Sequence, residues 1–149
     1  MKDFKLFLDL IRIKKPIGIL LLFWPCLWGL TLANDFNNNN SEYLTYVIYF
    51  FMGSVLMRSA GCIVNDKLDR NYDLLVKRTK NRPIASGKIT LKLGLIYVII
   101  LCLLSFLILI QFNLITIVLG LISMPFAFAY PLMKRFTYWP QLFLGFTFN

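Results

Sequence analysis

The chain has 149 residues, is 58% hydrophobic and 15% charged, and carries a formal net charge of +9 with a mean hydropathy of +0.68. These values exclude an ordinary soluble domain of this length. With no histidine and only the scattered Cys26, Cys62 and Cys102, they also exclude a thiolate–imidazole metal centre and give no disulfide signature.

The first segment places Phe4, Phe7, Leu8 and Ile11 at i, i+3, i+4 and i+7, with Lys5, Asp9 and Arg12 elsewhere around the wheel. That pattern predicts a helix lying in a membrane interface. Ile17 to Ala33 carries no charge and reads as a first span. A cleaved leader is the competing reading, with Thr31-Leu32-Ala33 as a small-x-small site, but Trp24, Pro25 and Trp28 suit a leader core poorly. Asn37 to Asn40 is a low-complexity spacer. Tyr43 to Val64 carries only Arg58 and reads as a second span. Gly53, Ser54, Ser59, Ala60 and Gly61 near its end would let neighbours approach closely, which predicts a central position. Leu93 to Met133 is 41 residues without a charge. That is about twice what one crossing needs, and Gln111-Phe112-Asn113 supplies the break between two antiparallel spans. Phe136 to Asn149 begins a further apolar stretch. The expected fold class is all-α, a multi-span transmembrane helical bundle forming one membrane-embedded domain over 1–149. It would have four complete spans and the start of a fifth.

The basic residues set an orientation. Five precede the first span, nine lie at or between spans two and three, and Lys134 and Arg135 follow span four, so all sixteen fall on one side. The positive-inside rule makes that side cytoplasmic, and it accounts for the net charge without nucleic acid.

Asn65-Asp66-Lys67-Leu68-Asp69-Arg70-Asn71-Tyr72-Asp73 ends the second span and holds three of the seven acidic residues. On a helix Asn65, Asp69 and Asp73 are spaced i, i+4, i+8, and Asp66, Asp69 and Asp73 are spaced i, i+3, i+7, so each set projects from roughly one face. Converging carboxylate and amide oxygens suit a hard divalent cation such as Mg²⁺. At this depth such an ion suggests a substrate with a phosphate head and a lipid tail. The bland alternative is a polar, solvated loop following a helix. Against it, Lys77, Arg78, Lys80 and Arg82 follow at once, and Arg58 stands inside an otherwise uncharged span, where an unpaired guanidinium is costly. Cations for phosphate oxygens beside carboxylates for metal are what a metal–diphosphate site requires.

Several stretches together resemble the UbiA prenyltransferase family, and within it the branch that acts on 4-hydroxybenzoate. They are Lys15-Pro16-Ile17-Gly18, Trp24-Pro25, Trp28-Gly29 and Met57-Arg58-Ser59-Ala60-Gly61-Cys62, then Asn65-Asp66-x-x-Asp69-x-x-x-Asp73, Lys77-Arg78-Thr79-x-Asn81-Arg82-Pro83 and Tyr130-Pro131-x-Met133-Lys134-Arg135. The resemblance implies Mg²⁺-dependent transfer of a polyprenyl group from polyprenyl diphosphate to the carbon ortho to the hydroxyl of 4-hydroxybenzoate, a step of ubiquinone biosynthesis. The setting it implies is a bacterial or mitochondrial inner membrane. Carried over by position, Asn65, Asp66, Asp69 and Asp73 are metal ligands. Asp69, Asp73, Arg70 and Arg135 are catalytic, with Arg135 near the aromatic carboxylate. Arg58, Lys77, Arg78, Arg82 and Tyr130 bind substrate.

The family fold has about nine spans and a second aspartate-rich motif. No acidic residue follows Asp73. The expectation is therefore an N-terminal half, inactive alone and completed by a complementing C-terminal half. Another quinone, haem or chlorophyll-type acceptor is an alternative. So is a non-enzymatic four-span membrane subunit in which residues 65–73 bind or gate an ion. A CDP-alcohol phosphotransferase is disfavoured because its Asp-Gly-x-x-Ala-Arg pattern is missing.

Overall fold

The computed structural model describes residues 2–37, 40–136, 139, 141–142 and 145, with side chains over 4–34 and 42–133 and at 136, 139, 141, 142 and 145. Among them the regular elements are α1 (Lys2–Leu10), α2 (Ile17–Asn37), α3 (Asn40–Leu68), α4 (Arg70–Leu75), α5 (Leu91–Leu109) and α6 (Leu114–Phe136). Four of these, α2, α3, α5 and α6, are long and apolar enough to cross a membrane. The start of the expected fifth span lies largely outside the described residues.

The antiparallel break between α5 and α6 falls where the polar turn predicts it. Asn113 Oδ1 accepts the Thr116 amide at 2.9 Å and so caps α6. Phe112 fixes the turn to the neighbouring helix, with its ring 4.8 Å from Phe50 and 5.5 Å from Tyr46. At the other end of α5, the Thr90 hydroxyl accepts the Leu93 amide at 3.3 Å.

Helix α3 touches every other helix, which makes it the axis of the bundle. Its small residues Ser54, Ser59 and Ala60 are buried, and both serine hydroxyls donate back to carbonyls one turn earlier, on Phe50 and Val55. Both hydroxyls are thereby satisfied within the helix. Outward-facing side chains of α2, α5 and α6 such as Leu21, Trp28, Leu103 and Leu119 are exposed and apolar, as a lipid-facing surface requires.

The tightest packing is at the end where α1 and the 76–90 loop close over the bundle. Leu10, Ala60, Ile63, Ile84, Ile89 and Leu101 form one buried cluster there. Helix α1 uses Leu10 and Ile11 for this contact, and its Phe7 ring meets Tyr97 edge-on at 5.0 Å, while Phe4 is 67% exposed. The amphipathic pattern thus forms a helix, but its inner face packs on protein. The loop is a folded cap rather than a solvated strand of cations. Ile84 and Ala85 turn inward, Gly87 adopts φ +74°, and the Ile89 amide returns to the Pro83 carbonyl at 3.0 Å.

Ile84 is 1% exposed, so Ile84→Ala leaves a cavity under this cap. The expected cost is about 2–4 kcal/mol, read as a lower melting temperature in detergent. An unchanged melting temperature would show that the cap is not packed as described.

Candidate active site

The end of α3 carries the oxygen-rich motif, and the helical path continues across Asp69. The Asp69 amide donates to the Asn65 carbonyl at 2.9 Å, and the Asp73 amide to the Asp69 carbonyl at 2.8 Å. Residues seven apart on such a helix differ by about 20° around the axis, and residues four apart by about 40°. Asp66 and Asp73 therefore share one stripe, while Asn65 and Asp69 occupy the stripe beside it.

The two stripes differ in what they meet. Asp66 is 1% exposed and Asp73 is 7% exposed. Arg82 donates one guanidinium nitrogen, Nη1, to both of them, at 3.1 Å to Asp66 and 2.7 Å to Asp73. Arg12 Nη2 makes a second ion pair with Asp66 on the same oxygen that Arg82 contacts. Thr79 closes the ring by donating its hydroxyl to the Asp73 main-chain carbonyl at 3.0 Å. Two buried carboxylates thus meet two guanidinium groups from distant parts of the chain, the pairing that buried charge requires. Arg12 has φ +56°, a left-handed conformation that costs a non-glycine residue about 1 kcal/mol. It is held in the reversal after α1 that carries its side chain to Asp66.

Asn65 and Asp69 are half-buried on the neighbouring stripe. Arg58 lies seven residues before Asn65 and shares that stripe. Its guanidinium lies against the backbone of Gly18 at the start of α2, where an added Cβ would sit 2.8 Å from Arg58 Cζ. No carboxylate pairs with Arg58 among the described residues. Gly18 thus leaves room for the Arg58 guanidinium in this position, which a larger residue would displace.

Of the other residues singled out by sequence, Arg70 opens α4, and its Nε is buried with no hydrogen-bond partner among the described residues. Lys77 and Arg78 are exposed in the loop. Tyr130 is half-buried in the final turns of α6. The side chain of Arg135 lies outside the described residues. Arg12 was not singled out, since in sequence it is one cation among several before the first span.

Among the described residues no three His, Cys, Asp or Glu side chains lie close enough together to hold a metal by themselves. The donor set is all oxygen, however, and comes from one helix end. Mg²⁺ usually takes one or two carboxylates and completes its shell with water and substrate phosphate, so Asn65 and Asp69 match it in kind, while Asp73 faces Arg82 on the adjacent stripe and would have to serve both. Two apolar crevices lie in the bundle, of which the first reaches the motif. One, of about 530 Å³, starts at Lys67 and Leu68 and continues between α5 and α6 past Cys102 to Met124. The other, of about 270 Å³, lies among α2, α3, α5 and α6, lined by Cys26, Phe50, Met57 and Leu109.

Removing Arg82 while keeping its partners leaves two buried carboxylates short of a counter-charge. Arg82→Ala is expected to cost about 3 kcal/mol in a detergent unfolding measurement. Asp66→Asn added to it should cost less than the two changes summed. Simple additivity would mean the groups do not interact.

Comparison with known proteins places these features. The profile of the UbiA prenyltransferase family matches residues 22–149. The chain is 46% identical over 142 residues to a 4-hydroxybenzoate octaprenyltransferase of Hydrogenovibrio crunogenus, covering 95% of this chain and 48% of that protein. It is 44% identical over 147 residues to the mitochondrial 4-hydroxybenzoate polyprenyltransferase of Caenorhabditis elegans, covering 99% and 41%. It is 44% identical over 145 residues to 4-hydroxybenzoate geranyltransferase 1 of Lithospermum erythrorhizon, covering 97% and 46%. The chain thus spans about half the length of the curated relatives it matches. No solved structure matches it. With the profile matching from the first span onward and the oxygen-rich end of α3 inside that range, the chain belongs to the UbiA prenyltransferase family.

Proposed function

We propose that this chain contributes the first aspartate-rich half-site of an enzyme that prenylates 4-hydroxybenzoate ortho to its hydroxyl in ubiquinone biosynthesis. The observation that carries the reading is the placement of Asn65 in the last turn of a membrane-spanning helix, with Asp69 and Asp73 on its helical continuation, beside an apolar crevice and a cationic loop. The relatives cited are named octaprenyl-, polyprenyl- and geranyltransferases at nearly equal identity, yet all are named for 4-hydroxybenzoate. Their names support the acceptor and leave the length of the donor tail open.

In the reaction the allylic C–O bond of polyprenyl diphosphate breaks and diphosphate departs with the bonding electrons. The electron-rich ring carbon forms a new C–C bond to the allylic carbon and loses its proton. Asn65, Asp69 and Asp73 would hold Mg²⁺, with Asp66 behind them in the motif. When bound, the ion would supply positive charge against the departing diphosphate. Arg58, Lys77, Arg78 and Arg82 would add donors to the phosphate oxygens. Arg135 would lie near the aromatic carboxylate, Arg70 would take part in substrate handling, and Tyr130 would face the allylic carbon. The apolar helices keep water away from an allylic cation and lodge the tail. A complementing C-terminal half would bring the second set of carboxylates. The loop that carries Arg78 and Arg82 would face the cytoplasm, with the turn at 110–113 on the opposite side.

The direct test is prenylation of labelled 4-hydroxybenzoate by membranes containing this chain, a polyprenyl diphosphate and Mg²⁺, with the C-terminal half of a homologue co-expressed. Product is expected, lost on chelation, and reduced about 100-fold or more in Asp69→Ala. Full activity in Asp69→Ala would overturn the assignment of the motif. Gly18→Ala, which displaces the Arg58 guanidinium, is expected to weaken donor binding without unfolding the chain, seen as a raised KM with an unchanged melting curve.

Orientation is tested separately in a cysteine-free background. Ser86→Cys should react with an impermeant thiol reagent only in inside-out vesicles, and Gln111→Cys only in right-side-out ones. The reverse pattern would overturn the proposed topology.

A further inference from the structure

The segment joining α1 to α2 and the loop before α5 border an open hollow of about 500 Å³, most of whose lysines and arginines the proposed reaction does not use. Its walls carry Arg12, Lys14, Lys15, Arg78, Arg82 and Lys88, with Asp9 the one carboxylate among its lining residues. Arg12 and Arg82 are held from behind by Asp66 and Asp73, and Lys14 leans on Asp9 at 3.7 Å. Lys15, Arg78 and Lys88 pair with no carboxylate among the described residues. The cavity therefore has a fixed cationic floor and a rim of cations with uncompensated charge, which calls for an anion.

Position narrows the occupant. Lys15 stands just before α2 begins at Ile17, and Lys88 just before α5 begins at Leu91. Both α2 and α5 are membrane-spanning by length and composition, so the cavity mouth lies at headgroup depth. Close in sequence to its lining residues, Ile13 is 41% and Ile17 72% exposed, and Leu6 and Leu8 are part of the lining. Exposed apolar side chains adjoining a cationic hollow suit a molecule with a phosphate head and acyl chains better than a free anion.

We propose that this cavity binds the phosphate headgroup of an anionic phospholipid, with the acyl chains lying against Ile13 and Ile17. The lipid would fasten α1 and the 76–90 loop to the membrane surface. The site is separate from the Asn65 and Asp69 stripe, and Lys14, Lys15 and Lys88 have no part in the proposed prenyl transfer.

The test is native mass spectrometry of the purified chain with phosphatidylglycerol or phosphatidylcholine of identical acyl composition. One phosphatidylglycerol retained in preference to phosphatidylcholine is expected, with retention about tenfold or more weaker in K14A/K15A/K88A. The charge-matched variant K5A/K80A/K92A should retain it like the parent chain. Equal retention of both lipids, or equal loss in the two triple variants, would reduce the effect to diffuse attraction and overturn the proposal. Inorganic diphosphate binding to the cavity in place of phosphatidylglycerol, with loss in the first variant, would assign a soluble anion and overturn it as well. Should the first triple variant misfold, Lys88→Ala alone is expected to weaken retention about fivefold.

Discussion

One guanidinium organises this end of the molecule. Arg82 lies sixteen residues from Asp66 and nine from Asp73, yet a single nitrogen serves both carboxylates. For that to happen the 76–90 loop must fold back onto the end of α3. The fold-back is what buries Thr79, Ile84, Ala85 and Ile89. Burying two carboxylates is unfavourable by several kcal/mol each before pairing, and pairing at best roughly offsets it. The network is therefore better understood as fixing position than as adding stability. The apolar cluster of Leu10, Ile63, Ile84 and Leu101 beneath it is the favourable part, and the ion pairs decide where the loop sits on that cluster.

The membrane explains why such a network can exist at this place. Helix α3 has 29 residues, which gives a length of about 44 Å against a hydrocarbon core of about 30 Å. Its last turns must project into the interface, so Asn65 to Leu68 remain helical while reaching a zone where water and ions are available. Had the same carboxylates lain mid-span, the cost of charging them would have been far higher. Arg58, two turns further in, meets that constraint differently. Gly18 removes a side chain from its path and lets the guanidinium rest on the backbone of α2.

Much of this was legible in the sequence because membranes simplify the reading. Uncharged runs of span length, a polar turn at Gln111 to Asn113 and one-sided cations define the elements almost without propensity arguments. The oxygen-rich motif was legible as a group. Its division was not, since both possible faces have helical spacing. The structure separates them through Arg12 and Arg82, whose partners are distant in sequence and cannot be read from periodicity. The folded cap was missed for a related reason. Lys77 to Arg82 dominates that stretch, whereas the signal lay just beyond it, in Ile84 and Ile89 set between Pro83 and Gly87. Interfacial helix α1 was partly legible. Its pattern gave Phe7 and Ile11 but passed over Leu10, which is fully buried.

The positive-inside rule accounts for how many cations this side carries but not for where each one points. Lys80 is exposed on the loop and Lys92 at the start of α5, and a topological role suffices for them. Arg12 and Arg82 are spent on Asp66 and Asp73, and that pairing leaves their outer edges to floor a cavity. Among the described residues no carboxylate pairs with Lys15, Arg78 or Lys88, which stand around it. Like charges gathered about a hollow repel one another, and a chain selected only for net charge on one side would spread them apart. Their convergence is explained if an anion occupies the hollow, because its charge turns mutual repulsion into shared attraction. The same carboxylates that hold Arg82 in place would then set the geometry of two anion-facing surfaces, one on each side of a single guanidinium.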